Sequence, residues 1–351
     1  MKAKYIVIAS PSIGGAERRF FDLFKGMRNR DLDVYLVAPS MLLKKLDENH
    51  TENKHIISVH MKRWSYMKFC FKYLTEVLVY SSKNDVFHYP LNPPFFLHAL
   101  INRNYSISYC YCYDRPRLSL KSIGLSLQKL ASPIAKKIDI LSPAIYEHFR
   151  YDSKCSLTPG GTYINSDELG VMGSKDKYAI VTRLEEGKGV DLFFKIIKLL
   201  TDNKRLLRDE TPKFCIYGDG SLKGAVENEI IGLCSEGIQV EYMGYKNPSE
   251  IFHEVKVIFS LQGKTNYPSR VVAESLISGT QVIVLDSGDS KSFGSVKGLH
   301  YLDMDLNNLI EIINDITSVK DSLTDRAEIS NFAKGKFSNY DYIDYFDKVI
   351  S

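Results

Sequence analysis

The sequence predicts an α/β protein built from two doubly wound parallel sheets, and three observations support this. Short runs of β-branched and aromatic residues alternate with longer segments of helical period along the chain. The alternation restarts after a turn-rich segment at 158–161 and a polar stretch at 165–177. The length of 351 residues also exceeds the roughly 250 to 300 residues at which a single core stops growing. We therefore expect two domains.

The first domain is expected to cover residues 1–168. Its apolar runs are short enough for buried strands, and the segments between them have the period of amphipathic helices. In chain order the pattern predicts strand Lys4 to Ser10, helix Ala16 to Met27, strand Val34 to Ala38, and strands near Val86, at Ile107 to Cys112 and at Ile138 to Leu141.

The second domain is expected to cover residues 169–336 and to repeat the same alternation. The pattern predicts strand Tyr178 to Thr182, helix Asp191 to Leu200, strand Phe214 to Tyr217, helix Leu222 to Gly232, strands Gln239 to Met243 and Val257 to Leu261, helix Arg270 to Ser278 and strand Gln281 to Leu285. In such sheets, ligands bind outside the carboxyl ends of the strands.

Composition excludes several classes of protein. With 44% hydrophobic and 25% charged residues, the chain is neither disordered nor fibrous. It has no apolar run long enough to cross a membrane. The six cysteines form no C-x-x-C pair, which favours a reducing compartment, the cytoplasm, over a disulfide framework or a structural zinc site.

Charge is unevenly distributed between the two halves. Residues 1–170 contain 24 Lys and Arg against 15 Asp and Glu, a net charge of +9, and the remainder contains 22 against 27, a net charge of −5, which together give the overall +4. The basic half suits an anionic surface or ligand, although surplus lysine on a solvated face is an equally good interpretation. No nucleic-acid-binding module is recognisable, so nucleic acid is not an expected partner.

Gly14 and Gly15 follow the first predicted strand, in the sequence PSIGGAERR. Glycine lets the backbone approach a ligand closely, and the N-terminus of the following helix presents free N–H groups to an anion or a sugar. The alternative is a tight turn that binds nothing.

Arg183 and Lys188 follow the first strand of the second domain, in VTRLEEGKGVD. Two cations at the carboxyl edge of a sheet could neutralise an organic diphosphate. A solvated charge cluster with Glu185 and Glu186 is the alternative.

A third motif, GKTNYPSRVVAESLISG, begins at Gly263 after a predicted strand. Pro268 and Ser269 suit the start of a helix, whose N-terminus could bind an anion. Glu274 lies about one turn inside, where a carboxylate could accept hydrogen bonds from two vicinal hydroxyls. An ordinary surface glutamate is the alternative.

These motifs, in this order and spacing, resemble the retaining glycosyltransferases of GT-B fold in family 4, which build bacterial surface glycans such as lipopolysaccharide, O antigen and capsule. The resemblance also includes YGDG at 217–220 and MGY at 243–245, and it covers nearly the whole chain. It implies two Rossmann-like domains facing across a cleft. It further implies that a final helix, within 337–351, crosses back onto the first domain.

The resemblance also implies roles for individual residues. Arg183 and Lys188 would bind the donor diphosphate, and Glu274 would bind the nucleotide ribose. The remaining donor-binding candidates are Gly14, Gly15, Tyr242, Gly244, Tyr245, Asn266, Pro268, Ser269 and Arg270.

This chain departs from the family pattern at two places. Asn266 stands where the first Glu of the family's E-x7-E motif would be, eight residues before Glu274. The family's histidine in the first domain has no clean counterpart. His88, expected in a loop after the strand near Val86, and Asp114 are the acceptor-side candidates.

No metal or other cofactor is expected, because two protein cations and helix N-termini could stabilise the leaving diphosphate. Asp303 and Asp305 form a D-x-D sequence that resembles a metal-binding motif. They directly precede the apolar run Leu306 to Ile316, so helix capping is the preferred interpretation.

The segment His60 to Tyr80 combines lysines with aromatic residues. Such a helix could lie on an anionic membrane surface, or its apolar residues could pack on the sheet.

The expected function is therefore transfer of a sugar, with retention, from a nucleoside-diphosphate donor to a glycan acceptor, free or lipid-linked. The expected location is the cytoplasm, with the inner face of the cell membrane as a docking surface. A catalytically weak subunit that binds nucleotide sugar or glycan within a larger assembly is the alternative.

Overall fold

The computed structural model describes residues 3–46, 50–101, 104–110, 117–118, 120, 122–166, 169–171, 175–203, 212–263, 265–318, 322–338 and 340–351. These form two compact units. The first comprises Met1–Asn165 with Asn339–Ser351, and the second comprises Ser166–Ser338. Each unit is built around one sheet in which every pair of neighbouring strands is parallel.

The first unit has a seven-stranded sheet of order β3-β2-β1-β4-β5-β6-β7. Its strands are β1 (Lys4–Ile8), β2 (Val34–Pro39), β3 (Ile56–Val59), β4 (Val86–Leu91), β5 (Tyr105–Tyr109), β6 (Lys137–Ile140) and β7 (Cys155–Leu157). The helices between them are α1 (Gly15–Asn29), α2 (Ser40–Leu46), α3 (Tyr66–Glu76), α4 (Phe95–Ile101), α5 (Ile123–Ala131) and α6 (Pro143–Tyr146), with 3-10 turns at His50–Glu52 and Leu78–Tyr80.

Helices cover both faces of this sheet. Residues of α1 and α2 share one buried cluster with β1 and β2. Residues of α3, α4 and α5 share another with the opposite face of the sheet. The central strands are therefore buried on both sides, which is why they read as continuous apolar runs.

The second unit has a six-stranded sheet of order β10-β9-β8-β11-β12-β13. Its strands are β8 (Lys177–Val181), β9 (Lys213–Tyr217), β10 (Val240–Gly244), β11 (Val255–Ser260), β12 (Gln281–Leu285) and β13 (Leu299–Leu302). Its helices are α7 (Val190–Asp202), α8 (Lys223–Ser235), α9 (Pro248–Glu254), α10 (Arg270–Ile277), α11 (Leu309–Ser318) and α12 (Leu323–Phe337), with a 3-10 turn at Ser290–Phe293.

The last helix, α13 (Tyr340–Val349), belongs to the first unit although it follows the second in sequence. Tyr342, Ile343 and Phe346 are buried among residues of α1 and β1. Gly26 on α1 lies close to α13, because a Cβ added to it would be 3.1 Å from the Ile343 side chain. The chain end therefore completes the core of the first unit.

The predicted fold class is confirmed, but three strands were not predicted. These strands, β3, β7 and β13, all lie at an edge of a sheet. Edge strands are short and only partly buried, so their sequences lack the apolar runs that mark β1 or β8.

The capping interpretation of Asp303 and Asp305 is wrong. Helix α11 begins at Leu309, three residues later than expected, and both aspartates lie in the preceding exposed turn. The Asp303 backbone N–H donates to Asn308 Oδ1 at 2.9 Å, and Asn307 donates to the Asp305 carboxylate. Leu306 has a φ of 63°, which interrupts any helix there.

Candidate functional site

The second sheet has a topological switch point between β8 and β11, where the strand order reverses. The loops after these strands meet at this edge. An added Cβ on Gly189, in the loop after β8, would be 2.5 Å from the Leu261 carbonyl oxygen in the loop after β11. Gly189 has a φ of +79° and precedes α7. Glycine at this position therefore lets the two loops approach each other.

Arg183 is positioned by hydrogen bonds on both sides of it. The Thr182 N–H donates to the Tyr217 carbonyl at 3.0 Å, and the Leu184 N–H donates to the Asp219 carbonyl at 3.0 Å. The YGDG sequence makes this contact possible, because an added Cβ on Gly218 would be 1.8 Å from the Thr182 carbonyl oxygen. The Arg183 side chain itself is exposed at the carboxyl edge of β8.

Lys188 connects the two loops of the switch point. Its Nζ donates to Gln262 Oε1 at 2.7 Å. Burial lowers the pKa of this half-buried lysine, and the nearby positive charge of Arg183 lowers it further. Arg183 and Lys188, the two cations predicted from the sequence, therefore lie close enough for their charges to interact. Gln262 accepts a hydrogen bond from Lys188.

Asn266 is 3% exposed, and its side-chain amide forms hydrogen bonds with Ser260, at the end of β11, and with Gln262. Its Oδ1 accepts from Ser260 Oγ at 2.8 Å and from Gln262 Nε2 at 3.4 Å, and its Nδ2 donates to the Ser260 carbonyl at 2.9 Å. The amide thus links Lys188, through Gln262, to the end of β11. These hydrogen bonds give Asn266 a position that organises the loop, and the donor-binding role predicted for it stays a prediction.

Asp289, in the loop after β12, holds the same segment from the other side. Its Oδ1 accepts the N–H groups of Asn266 at 2.7 Å and Tyr267 at 3.0 Å. Burial raises the pKa of Asp289, although these two hydrogen bonds oppose the shift. Its Oδ2 is buried without a hydrogen-bond partner among the described residues.

Helix α10 begins directly after this loop. Ser269 is its N-cap, and the Ser269 hydroxyl accepts from the Val272 N–H at 3.5 Å. The Arg270 guanidinium pairs with the Glu274 carboxylate one turn later, with Nη2 2.6 Å from Oε1. Both side chains are largely buried, and Pro268 is half-buried at the helix entrance. Pro268 and Ser269 thus start the helix as predicted.

Tyr242, Gly244 and Tyr245 lie at the end of β10, two strands from the switch point. The Tyr242 hydroxyl donates to the Gly218 carbonyl at 2.9 Å, and the Gly218 N–H donates to the Gly244 carbonyl at 2.9 Å. Tyr245 is exposed, with 65% of its surface accessible. The loops after β8, β9 and β10 are therefore joined into one continuous edge.

In the first unit, Gly14 and Gly15 lie at the corresponding switch point, after β1. Gly14 is the N-cap of α1 and makes no side-chain cap, and Gly15 begins the helix. Asn92, after β4, donates from Nδ2 to the Ala9 carbonyl at 2.9 Å and joins the two strand ends.

His88 does not lie in a loop, and its assignment as an acceptor-side residue is wrong. It is the third residue of β4 and is fully buried. Its two ring nitrogens are each 2.9 Å from a hydroxyl oxygen, that of Ser106 and that of Ser108. Burial lowers the pKa of His88 to about 3. Asp114, the other candidate, lies outside the described residues.

His88 belongs to a buried polar network around Asp139 on β6. The Asp139 carboxylate accepts from Arg19 Nη2 at 3.2 Å, Ser108 Oγ at 2.6 Å and the Tyr345 hydroxyl at 2.8 Å. Burial by itself raises the pKa of Asp139, but Arg19 and these hydroxyls together lower it. Arg19 also donates to the Tyr342 hydroxyl, so the network ties α1, β6 and α13 together.

The sequence did not identify Gln262 or Asp289 as parts of the site. Neither residue belongs to a recognisable motif. The available signal was only that Gln262 follows β11, which flanks the switch point, and that Asp289 follows the neighbouring strand β12. Within the described ranges, no three His, Cys, Asp or Glu side chains cluster as a metal site would require.

The fold is similar to that of solved glycosyltransferases. HepE of Anabaena, in complex with UDP and glucose, superposes with a TM-score of 0.74 over 99% of this chain and 98% of that chain, at 12% identity. A glycosyltransferase of Rickettsia africae superposes with a TM-score of 0.72 over 99% of this chain and 98% of that chain, at 15% sequence identity. TarM of S. aureus superposes with a TM-score of 0.72 over the whole of both chains, at 12% sequence identity. That structure contains UDP and alpha-GlcNAc-glycerol among other ligands.

These similarities show the GT-B fold, with two parallel-sheet, Rossmann-like domains. No family profile and no curated protein matches the sequence. Among the described helices, none is both long and apolar enough to span a membrane.

Proposed function

We propose that this protein is a glycosyltransferase that moves a sugar from a nucleoside-diphosphate donor to a growing, lipid-linked bacterial surface glycan, with retention of anomeric configuration. One observation carries the proposal. Arg183 and Lys188 both lie in the loop after β8, at the switch point of the second sheet where folds of this kind bind nucleotides, and Lys188 bonds to Gln262 in the loop after β11. The UDP complexes of HepE and TarM support a uridine nucleotide as the first ligand to test.

In the proposed reaction the bond between the anomeric carbon and the diphosphate oxygen breaks while the acceptor hydroxyl forms a new bond on the same face. The acceptor proton passes to the departing diphosphate. Negative charge develops on the diphosphate, and Arg183 and Lys188 would stabilise it. Gln262 would orient the ammonium group of Lys188, with which it already bonds. Glu274 would bind the ribose hydroxyls, and the edge formed by Tyr242 and Tyr245 would lie near the base.

The first experiment measures ligand binding and transfer. UDP and other nucleoside diphosphates are expected to raise the melting temperature, since a ligand at about 100 times its Kd adds about 2.7 kcal/mol of stability. Arg183→Ala and Lys188→Ala are each expected to lower the transfer rate about 100-fold or more. Lys195→Ala, an exposed lysine on α7, is the matched control. Unchanged kinetics in both site variants would contradict the assignment.

We also propose that no divalent cation is required, because two side-chain cations can neutralise the leaving group. Transfer should then persist in EDTA. Loss of activity in EDTA, restoration by Mn²⁺, and loss of that restoration in Asp303→Asn would instead favour a metal-bridged diphosphate.

A catalytically weak binding subunit is the second candidate, and Asn266 is the observation that favours it. The family's first glutamate is replaced here by a buried amide that bonds within its own loop. A binding subunit would show nucleotide affinity without turnover of any donor. We place either activity in the cytoplasm, because the cysteine pattern suits a reducing compartment.

A further inference from the structure

Helices α3, α4 and α5 form one layer on the first sheet. Each helix contributes residues to the same buried cluster, which includes Phe69 and Tyr73 from α3, Leu97 from α4 and Ala131 from α5. The outward sides of these helices therefore face the same direction. The packing expected for the lysine-rich segment at 60–80 is confirmed for four of its six aromatic residues, which pack on the sheet, whereas Phe71 and Tyr80 are exposed.

The outward side of this layer carries large apolar residues that the core does not use. We call these residues the outer helical face. Each is between 47% and 72% exposed. They are Met67 and Phe71 on α3, Leu100 on α4, Ile123 and Leu130 on α5, and Ile134 just beyond it.

Spacing on the helices shows that these residues form stripes. Met67 and Phe71 are four residues apart, and Ile123 and Leu130 are seven apart, so each pair lies on one side of its helix. A helix that only covers a sheet has a polar outer side. Helix α3 instead has apolar residues on its outer side as well as its inner side.

The charged residues beside this face are almost all basic. Glu76 is the one acidic residue in the stretches 60–80, 95–101 and 122–137, and it pairs with Lys72 at 3.5 Å. The exposed cations are Lys62, Arg63, Lys68, Lys129 and Lys136. Helix α13, one of the helices on the other side of the sheet, differs because it carries Asp344 and Asp347, which pair with Arg30 and Lys4.

We propose that the outer helical face docks on the surface of an anionic phospholipid bilayer. The apolar stripes enter the boundary between headgroups and acyl chains, and the flanking cations contact the lipid phosphates. Charge argues against a second copy of this chain as the occupant. In a symmetric dimer the same face meets itself, so the cations would face one another with almost no acidic residue to compensate them.

The test is co-sedimentation with vesicles. We expect binding to vesicles of phosphatidylglycerol and phosphatidylcholine to be at least about tenfold tighter than to phosphatidylcholine alone. Binding should weaken steeply as NaCl rises from about 0.05 M to about 0.5 M. The double variant Phe71→Ser/Ile123→Ser and the double variant Lys68→Glu/Lys129→Glu should each lower vesicle binding at least about tenfold.

Matched controls come from the second unit. Ile231 and Phe332 are exposed to a similar degree, and Lys195 and Lys198 are exposed lysines on α7. Ile231→Ser/Phe332→Ser and Lys195→Glu/Lys198→Glu should bind vesicles like the parent protein. All variants should retain the parent melting temperature and its shift with UDP, which separates this proposal from the proposed function.

Three outcomes would overturn the proposal. The first is no preference for anionic vesicles at low salt. The second is an equal loss of vesicle binding in the control variants. The third is a concentration-dependent dimer, measured by analytical ultracentrifugation, that the Phe71→Ser/Ile123→Ser variant abolishes, since the face would then be a protein interface.

Discussion

The two units share a strand pattern, but Arg19 of the first unit and Arg183 of the second lie in opposite environments. In each sheet the first strand of the unit lies between the second and the fourth. In the first unit Arg19 is 1% exposed and pairs with Asp139, which is fully buried. In the second unit Arg183 is exposed at the carboxyl edge, and its neighbour Lys188 is half-buried.

This difference shows that burial decides the role of a cation within one topology. A buried charge is stable only when it is paired and hydrogen-bonded, and Arg19 is committed to Asp139 and Tyr342. Its role is therefore to hold α13 on the first sheet. Arg183 keeps its hydration and can exchange water for an anionic ligand. Arg19 thus serves packing within the first unit, whereas Arg183 is exposed at the edge of the second sheet.

The largest effect is expected for Arg19→Met. The change leaves the Asp139 carboxylate buried without its cation, and breaking a buried pair in this way costs about 3 to 5 kcal/mol. Denaturant unfolding, followed by a probe in the first unit, measures this loss. UDP binding, which we propose for the carboxyl edge of the second sheet, should be unchanged.

A surface pair on the same helix provides the control. Arg30 pairs with Asp344 on α13, and both side chains are substantially exposed. Arg30→Ala should cost less than about 1 kcal/mol. Arg19→Met/Asp139→Leu should recover part of the loss, because no unpaired charge remains. If Arg19→Met and Arg30→Ala lowered the free energy of unfolding equally, the distinction between the buried pair and the surface pair would be wrong.

A smaller effect, on ligand binding, is expected for Glu274→Gln. Glutamine can still accept the hydrogen bond from Arg270, so α10 should remain folded. A charged hydrogen bond to ribose contributes about 1.5 to 3 kcal/mol, mostly to affinity. Calorimetry should show weaker UDP binding, and KM should rise more than kcat falls. Glu229→Gln, at an exposed pair on α8, is the control. Parent-like UDP affinity in Glu274→Gln would rule out the ribose contact.

The smallest effect is a pH dependence that arises from His88. Its pKa is about 3 in the folded protein and about 6.5 when unfolded. Above pH 6.5 the histidine is neutral in both states, so its contribution to stability is complete. Below that pH the unfolded state takes up a proton first, and stability should fall by up to about 1.4 kcal/mol per pH unit. Unfolding measured between pH 7 and pH 5 should show a shallower slope in His88→Gln. Identical slopes would show that His88 becomes protonated in the folded state.

The extent of sequence-based prediction differs between the fold and the site. Strands such as β1 and β8 were predictable because burial on both faces requires continuous apolar runs. Three of the four edge strands, β3, β7 and β13, were not, because they are short and only partly buried and so lack such a run. At the site, Arg183 and Lys188 were identified because a cation just past a strand must lie at the carboxyl edge. Gln262 and Asp289 were missed because their role depends on which loops meet.

The amino-acid sequence by itself determined the α/β alternation, the restart of the pattern in a second domain, and the positions of the charged motifs after strands. These properties follow from local period and turn chemistry, which adjacent residues specify. Tertiary structure decided which charges are buried. His88 and Arg19 became parts of a closed network because β4, β6 and α13 come together around them. Contacts between segments more than 200 residues apart, such as Tyr345 with Asp139 at a separation of 206, leave no periodic signal in the sequence, because only folding brings the two segments together.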